Sequence, residues 1–97
     1  MKSIGLIEVS GVIAAVDCLD IMCKSADVQL VTWERKLGGR LVTVVVEGTI
    51  SAVTAAVENA IASAIITPCA HAVIASPHEE VERLLKVSAS RINKAGK

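Results

Sequence analysis

"VQLVTWERKLGGRLVTVVVEG", residues 28–48, sets two runs of β-branched residues on either side of a short segment with adjacent glycines. Val, Thr and Trp suit a pleated, half-buried surface, and glycine tolerates the positive φ that a hairpin tip demands. The stretch predicts an antiparallel pair, 28–34 and 41–48, closed by a type I′ turn. Three cations crowd that turn: Arg35 and Lys36 before the glycines Gly38 and Gly39, and Arg40 straight after. An arbitrary domain would leave such cations solvated.

Working outward, "SIGLIEV" (3–9) is apolar on both alternating faces, as a central strand covered on both sides would be. Ser10 is a candidate cap for a helix whose apolar positions are Val12, Ala15, Val16, Leu19, Met22 and Cys23, with Asp20 and Lys24 paired at i, i+4 on the other side. Thr49 caps an Ala-rich helix to about Ile65, with Ile50, Val53, Val57, Ile61 and Ala64 on one stripe. Its other face is small enough to approach a second neighbour closely. "AHAVIA" (70–75) is a fourth strand. In "SPHEEVERLLKV", Ser76 and Glu79 form a capping box, Pro77 takes the first helical position, and a short helix ends near Val87. The order is β-α-β-β-α-β: an α+β, ferredoxin-like antiparallel sheet with two helices on one face and a short C-terminal helix. One domain spans 1–87, and the polar residues 88–97 are expected to fray.

Of the 97 residues 53% are hydrophobic, almost all Ala, Val, Ile and Leu, and the formal net charge is zero. A surplus of small apolar side chains without net repulsion fits self-association. Nucleic acid is excluded as a partner, because a basic face and stacking aromatics are both missing. No apolar run reaches the roughly 20 residues of a membrane span, and no signal peptide is visible. Cys18, Cys23 and Cys69 show no metal-ligand spacing and read as small buried hydrophobes in a reducing compartment. His71 reads as a sheet residue and His78 as a surface residue. Glu79, Glu80 and Glu82 suit a helix N-terminus without any catalytic reason. No phosphate loop or dinucleotide fingerprint occurs. The expectation is a non-enzyme with no catalytic residue, no metal and no cofactor. A small-molecule-binding regulatory domain acting at a subunit interface is the alternative class.

"GLIEVSGVIAAVDCLDIMCKSADVQLV", "RLVTVVVEGTISAVTAAVENA" and "HAVIASPHEEVERLL" together resemble successive parts of a bacterial microcompartment shell protein of the hexameric, single-domain (BMC domain) type. The resemblance covers about residues 2–86. It implies a homohexamer that tiles with its own copies and with other shell proteins into facets of a shell in the bacterial cytoplasm. Cargo-enzyme targeting peptides, and small metabolites or anions at a central pore, are the further partners it implies. The pore segment of the family maps onto Lys36, Leu37, Gly38, Gly39 and Arg40. Here Gly39 stands where a serine is usual, Arg40 where a glycine is usual, and one extra residue precedes the segment near Arg35. The hexamer-edge lysine maps onto Lys24, with Asp27 beside it. Ser76 stands where the family usually has an edge arginine.

Overall fold

The computed structural model describes residues 2–95, with side chains from Lys2 to Ile92. Its elements are β1 (Ser3–Val9), α1 (Val12–Ser25), β2 (Gln29–Lys36), β3 (Leu41–Gly48), α2 (Ile50–Ser63), β4 (Ala70–Ile74) and α3 (Glu79–Ala95). The sheet runs in the order β2-β3-β1-β4, with every pairing antiparallel. β1 is therefore central, as its two-faced apolar pattern predicts. This is the ferredoxin-like plan.

Alternation along the strands divides the apolar side chains between two cores. Ile7, Val9, Val42, Val44 and Val46 face α1 and α2, and pack with Ala14, Ala15, Cys18, Met22, Val53, Ala56, Val57 and Ala60. Ile4 and Val45 face the opposite side and meet Leu85 of α3, with Leu6, Val31 and Val81 around them. α3 thus lies on the face that α1 and α2 leave open.

The buried stripe of α1 is Ala14, Ala15, Cys18 and Met22, while Val16 is 52% exposed and Cys23 is also exposed. Of the expected stripe, Ala15 and Met22 are buried and Val12 and Leu19 pack against the same core, whereas Val16 and Cys23 face out and Ala14 and Cys18 are buried instead. Apolar residues occur on nearly every side of α1, so periodicity could not choose among them. Packing decides it, since the small Ala14 and Cys18 of α1 are buried in one core with the small Ala56 and Ala60 of α2. Ile50 likewise falls outside the buried stripe of α2 and is 46% exposed.

The helix ends differ in how they are capped. Thr49 caps α2 as its sequence predicts, its hydroxyl accepting the Ala52 N–H at 3.1 Å. Ser10 does not cap α1. Gly11 takes that position without any side-chain bond, at φ 98°. The expected Ser76–Glu79 box is also absent. His78 supplies the cap instead, its Nδ1 accepting the Glu80 N–H at 3.1 Å and its carbonyl accepting from Val81 and Glu82.

The largest departure from expectation is α3. It does not end near Val87 but runs 17 residues to Ala95, the longest of the three helices. Residues 88–95 of the expected frayed tail are helical, and 96–97 lie outside the described residues. The cause is Ser88, 7% exposed, whose hydroxyl bonds the buried Thr32 hydroxyl at 2.6 Å and the Glu34 carboxylate. Those bonds fasten the second half of α3 to β2.

Candidate pore loop and edge

At the hairpin, β2 extends to Lys36, which pairs with Leu41, so four residues rather than two form the connection. Leu37–Gly39 make one 3₁₀ turn. Gly38 has φ 67° and Gly39 has φ 89°, and Leu37 itself sits at φ 54°. The expected type I′ turn is therefore replaced by a longer loop with three consecutive left-handed residues.

Arg40 closes the loop. Its backbone N–H reaches the Leu37 carbonyl at 3.4 Å, and its side-chain Nε donates to the same oxygen at 3.2 Å. The guanidinium thereby compensates a carbonyl that the left-handed turn leaves without a ladder partner. Leu37 is 68% exposed, and Lys36, Gly38 and Arg40 are exposed too. Arg35 lies over the Trp33 ring at 6.0 Å from its centroid, a cation–π distance. That contact draws Arg35 back along β2 and leaves Lys36 and Arg40 as the loop cations. Alternation puts Trp33 and Arg35 on one face because they are two residues apart, but the expected strand ended at residue 34 and left Arg35 in the turn.

The other group of candidate residues lies at the far end of the sheet. Ser3 starts β1, pairs with Gly48 and bonds the Ala75 carbonyl at 2.6 Å. A methyl group placed on Gly48 would stand 2.8 Å from the Asp27 carbonyl oxygen, so the chain after α1 presses against this end and requires glycine there. Lys24 follows from its place in the last turn of α1, and Ser76 from its place one residue after Ala75. Lys24, Asp27 and Ser76 thus gather at one end of the sheet, all exposed. The loop lies beyond the other end, where Val9 pairs with Val42. Seven residues of β1 separate the two groups, about 20 Å. Lys24 pairs with Asp20 at 2.9 Å, not with Asp27.

Apolar surface concentrates at the loop end. Ile13 is 82% exposed and Ile65 74%, and with Gly11, Val12 and Ile66 they line a hollow of about 420 Å³. Gly39 touches the same region, since a methyl on it would lie 3.2 Å from Val12 Cγ2. Asp17 anchors the rim by accepting the Ile65 N–H at 2.9 Å.

Cysteine chemistry divides along the fold. Only Cys18 is a buried hydrophobe, and burial followed by the negative Asp17 pushes its thiol above the ordinary range. Cys23 and Cys69 are exposed, contrary to expectation. Five residues turn Cys23 about 140° away from Cys18 around α1. Cys69 lies in the segment before β4, where its N–H and thiol both meet the Glu8 carbonyl. His71 lies in β4 and is exposed, as is His78. No cluster of three or more His, Cys, Asp or Glu able to hold a metal ion occurs among the described residues. Nor, among them, is any helix long and apolar enough to cross a membrane.

Comparison with known proteins gives this geometry its context. The BMC domain family model matches residues 3–77. The shell protein PduA of Citrobacter freundii is 42% identical over 86 residues, covering 87% of this chain and 91% of the relative. The carboxysome shell protein CcmK2 of Synechococcus elongatus is 39% identical over 89 residues, covering 88% and 86%. Among solved structures, a microcompartment protein from Desulfitobacterium hafniense superposes with a TM-score of 0.76 at 25% identity. The match covers 91% of this chain and 48% of that one, so the chain spans about half its length. Family model, sequence relatives and fold agree: the chain belongs to the BMC domain family of bacterial microcompartment shell proteins.

Proposed function

We propose that six copies of this chain close into a ring, with the Leu37–Arg40 loop at the axis and the Lys24–Asp27–Ser76 end at the rim. The observation that carries this reading is the separation of the two groups to opposite ends of one sheet. A radial placement needs that separation, since one end must crowd the axis while the other meets the next ring. Two adjacent glycines reduce side-chain bulk where six backbones converge. The exposed apolar surface around Ile13 and Ile65 lies at the same end and gains cover from a neighbouring copy.

In this reading the protein is a wall element without catalytic activity, built into a microcompartment shell in the bacterial cytoplasm. Lys36, Leu37, Gly38, Gly39 and Arg40 line the opening through which small metabolites or anions pass. Other shell proteins meet its rim, and cargo targeting peptides meet a face. The relatives that bear the name shell protein support this role.

Arg40 then sets the sign of the opening. A single charge about 8 Å from a passing ion contributes about 0.5 kcal/mol in water. Six such charges, screened with a Debye length of about 8 Å, leave roughly 1 kcal/mol in total. That corresponds to an anion enrichment of about five- to tenfold. Arg40→Ala shells are expected to lose most of this advantage for a small anion while passing a neutral solute of equal size at the original rate. Influx assays at low salt measure it. Equal anion passage in both shells would remove Arg40 from the pore.

A further inference from the structure

The outward face of α3 carries a pattern that neither core uses and that the family model, ending at residue 77, does not reach. Leu84 is 68% exposed and Val87 46%. With Glu80 and Arg83 they border a hollow of about 370 Å³. Glu80 and Arg91 are 11 residues apart, about 16 Å along the helix and about 20° apart around it, so they flank the apolar pair on one stripe. Both are exposed, and Glu80 is held by Arg83 one turn on. Along the whole helix the carboxylates Glu79, Glu80 and Glu82 stand in the first turn, and the cations Arg83, Lys86, Arg91 and Lys94 all follow them.

We infer that α3 is a self-complementary docking surface for α3 of a second copy, packed antiparallel across a two-fold axis. The midpoint of Leu84 and Val87 is also the midpoint of Glu80 and Arg91. A two-fold axis through that point sets each Leu84 against Val87 of the other copy and each Glu80 against its Arg91. Acidic start meets basic end on both sides, while a parallel arrangement would oppose like charges. The contact is isologous and closes at two copies.

Cyclic symmetry places every copy of α3 at one height in a ring, so that, with this sheet face on the flat side of the ring, all six stand on one side. On the ring reading above, two rings therefore join face to face through six such pairs. Each pair is small and weak alone, and tethering six on one rigid body raises their joint strength through effective concentration. Salt weakens the union because its specificity lies in exposed charges.

The test is native mass measurement and sedimentation of the full chain at low and high salt. The expected result at low salt is a species of twice the ring mass, about 120 kDa against about 60 kDa for six 10.1 kDa chains. Glu80→Lys or Arg91→Glu alone is expected to weaken doubling at least tenfold, and the double variant to restore it. Leu84→Asp, at a position already exposed, is expected to abolish doubling with circular dichroism unchanged. If rings do not form, the same substitutions should control a monomer–dimer equilibrium, so failure of the ring reading is told apart from failure of this one. Absence of any doubled species at low salt, or doubling indifferent to these substitutions, overturns the inference. So does a wild-type chain that stays single while binding an added amphipathic helical peptide on Leu84 and Val87.

Discussion

Met22→Ala is expected to destabilise the chain by about 3 kcal/mol, within the range of about 2 to 5 kcal/mol for emptying a buried methionine site. Met22 is fully buried in the core shared by α1, α2 and the sheet. Its loss removes apolar contact and leaves a cavity that strands on one side and α2 on the other cannot collapse to fill. In a domain of this size the melting temperature should fall by about 12 to 24 °C. Denaturant unfolding at one fixed protein concentration measures it without confusing folding with assembly. A loss under 1 kcal/mol would mean that α1 does not present Met22 to the sheet.

Lys24→Ala should act in the opposite manner, leaving the fold intact and removing the assembly. Lys24 makes only an exposed i, i+4 pair with Asp20, of a kind that contributes about 0.3 to 0.5 kcal/mol. Folding stability should therefore change by about 0.5 kcal/mol or less. If its second role is at the rim, the substitution should abolish extended sheets in electron micrographs while the ring mass stays the same. The effect is large because each rim contact recurs at every edge of a tiled lattice. Sheets of normal extent in Lys24→Ala would take that role away from it. Ser76 sharpens the experiment, since a serine there lacks the charge of the arginine common in relatives by resemblance. Ser76→Arg should strengthen tiling if the rim lies where proposed.

Much of the fold was legible because the strands carry their own pattern. "SIGLIEV" is apolar on both faces and proves central, and Thr49 caps α2 with its hydroxyl as its position implies. Local pattern failed where tertiary contacts decide. The polar run after Val87 reads as a tail, yet Ser88 is buried because its hydroxyl donates to Glu34 and accepts from Thr32, both more than 50 residues away. Cys23 looked like core because small apolar residues surround α1 on nearly every side. The hairpin was legible as a turn, but not its length. A bond from the Arg40 side chain to the Leu37 carbonyl favours four residues over two, and no spacing rule announces it.

The same bond refines how the loop cations act. Arg40 is at once a loop clasp and an exposed charge, so Arg40→Lys separates the two. Lysine keeps the charge but lacks the Nε geometry that meets Leu37. The candidate residues at the other end were named through family resemblance rather than periodicity. What the fold adds is their common position, which follows from Ser3 bonding Ala75 and from Asp27 pressing on Gly48.

The most direct test of the radial account is an electron cryo-microscopy density of the purified full chain. The account predicts six-fold rings in which the Leu37–Arg40 loops are the residues nearest the axis and Lys24, Asp27 and Ser76 lie at the perimeter. A particle without six-fold symmetry, or a ring with those loops at its perimeter, would contradict it.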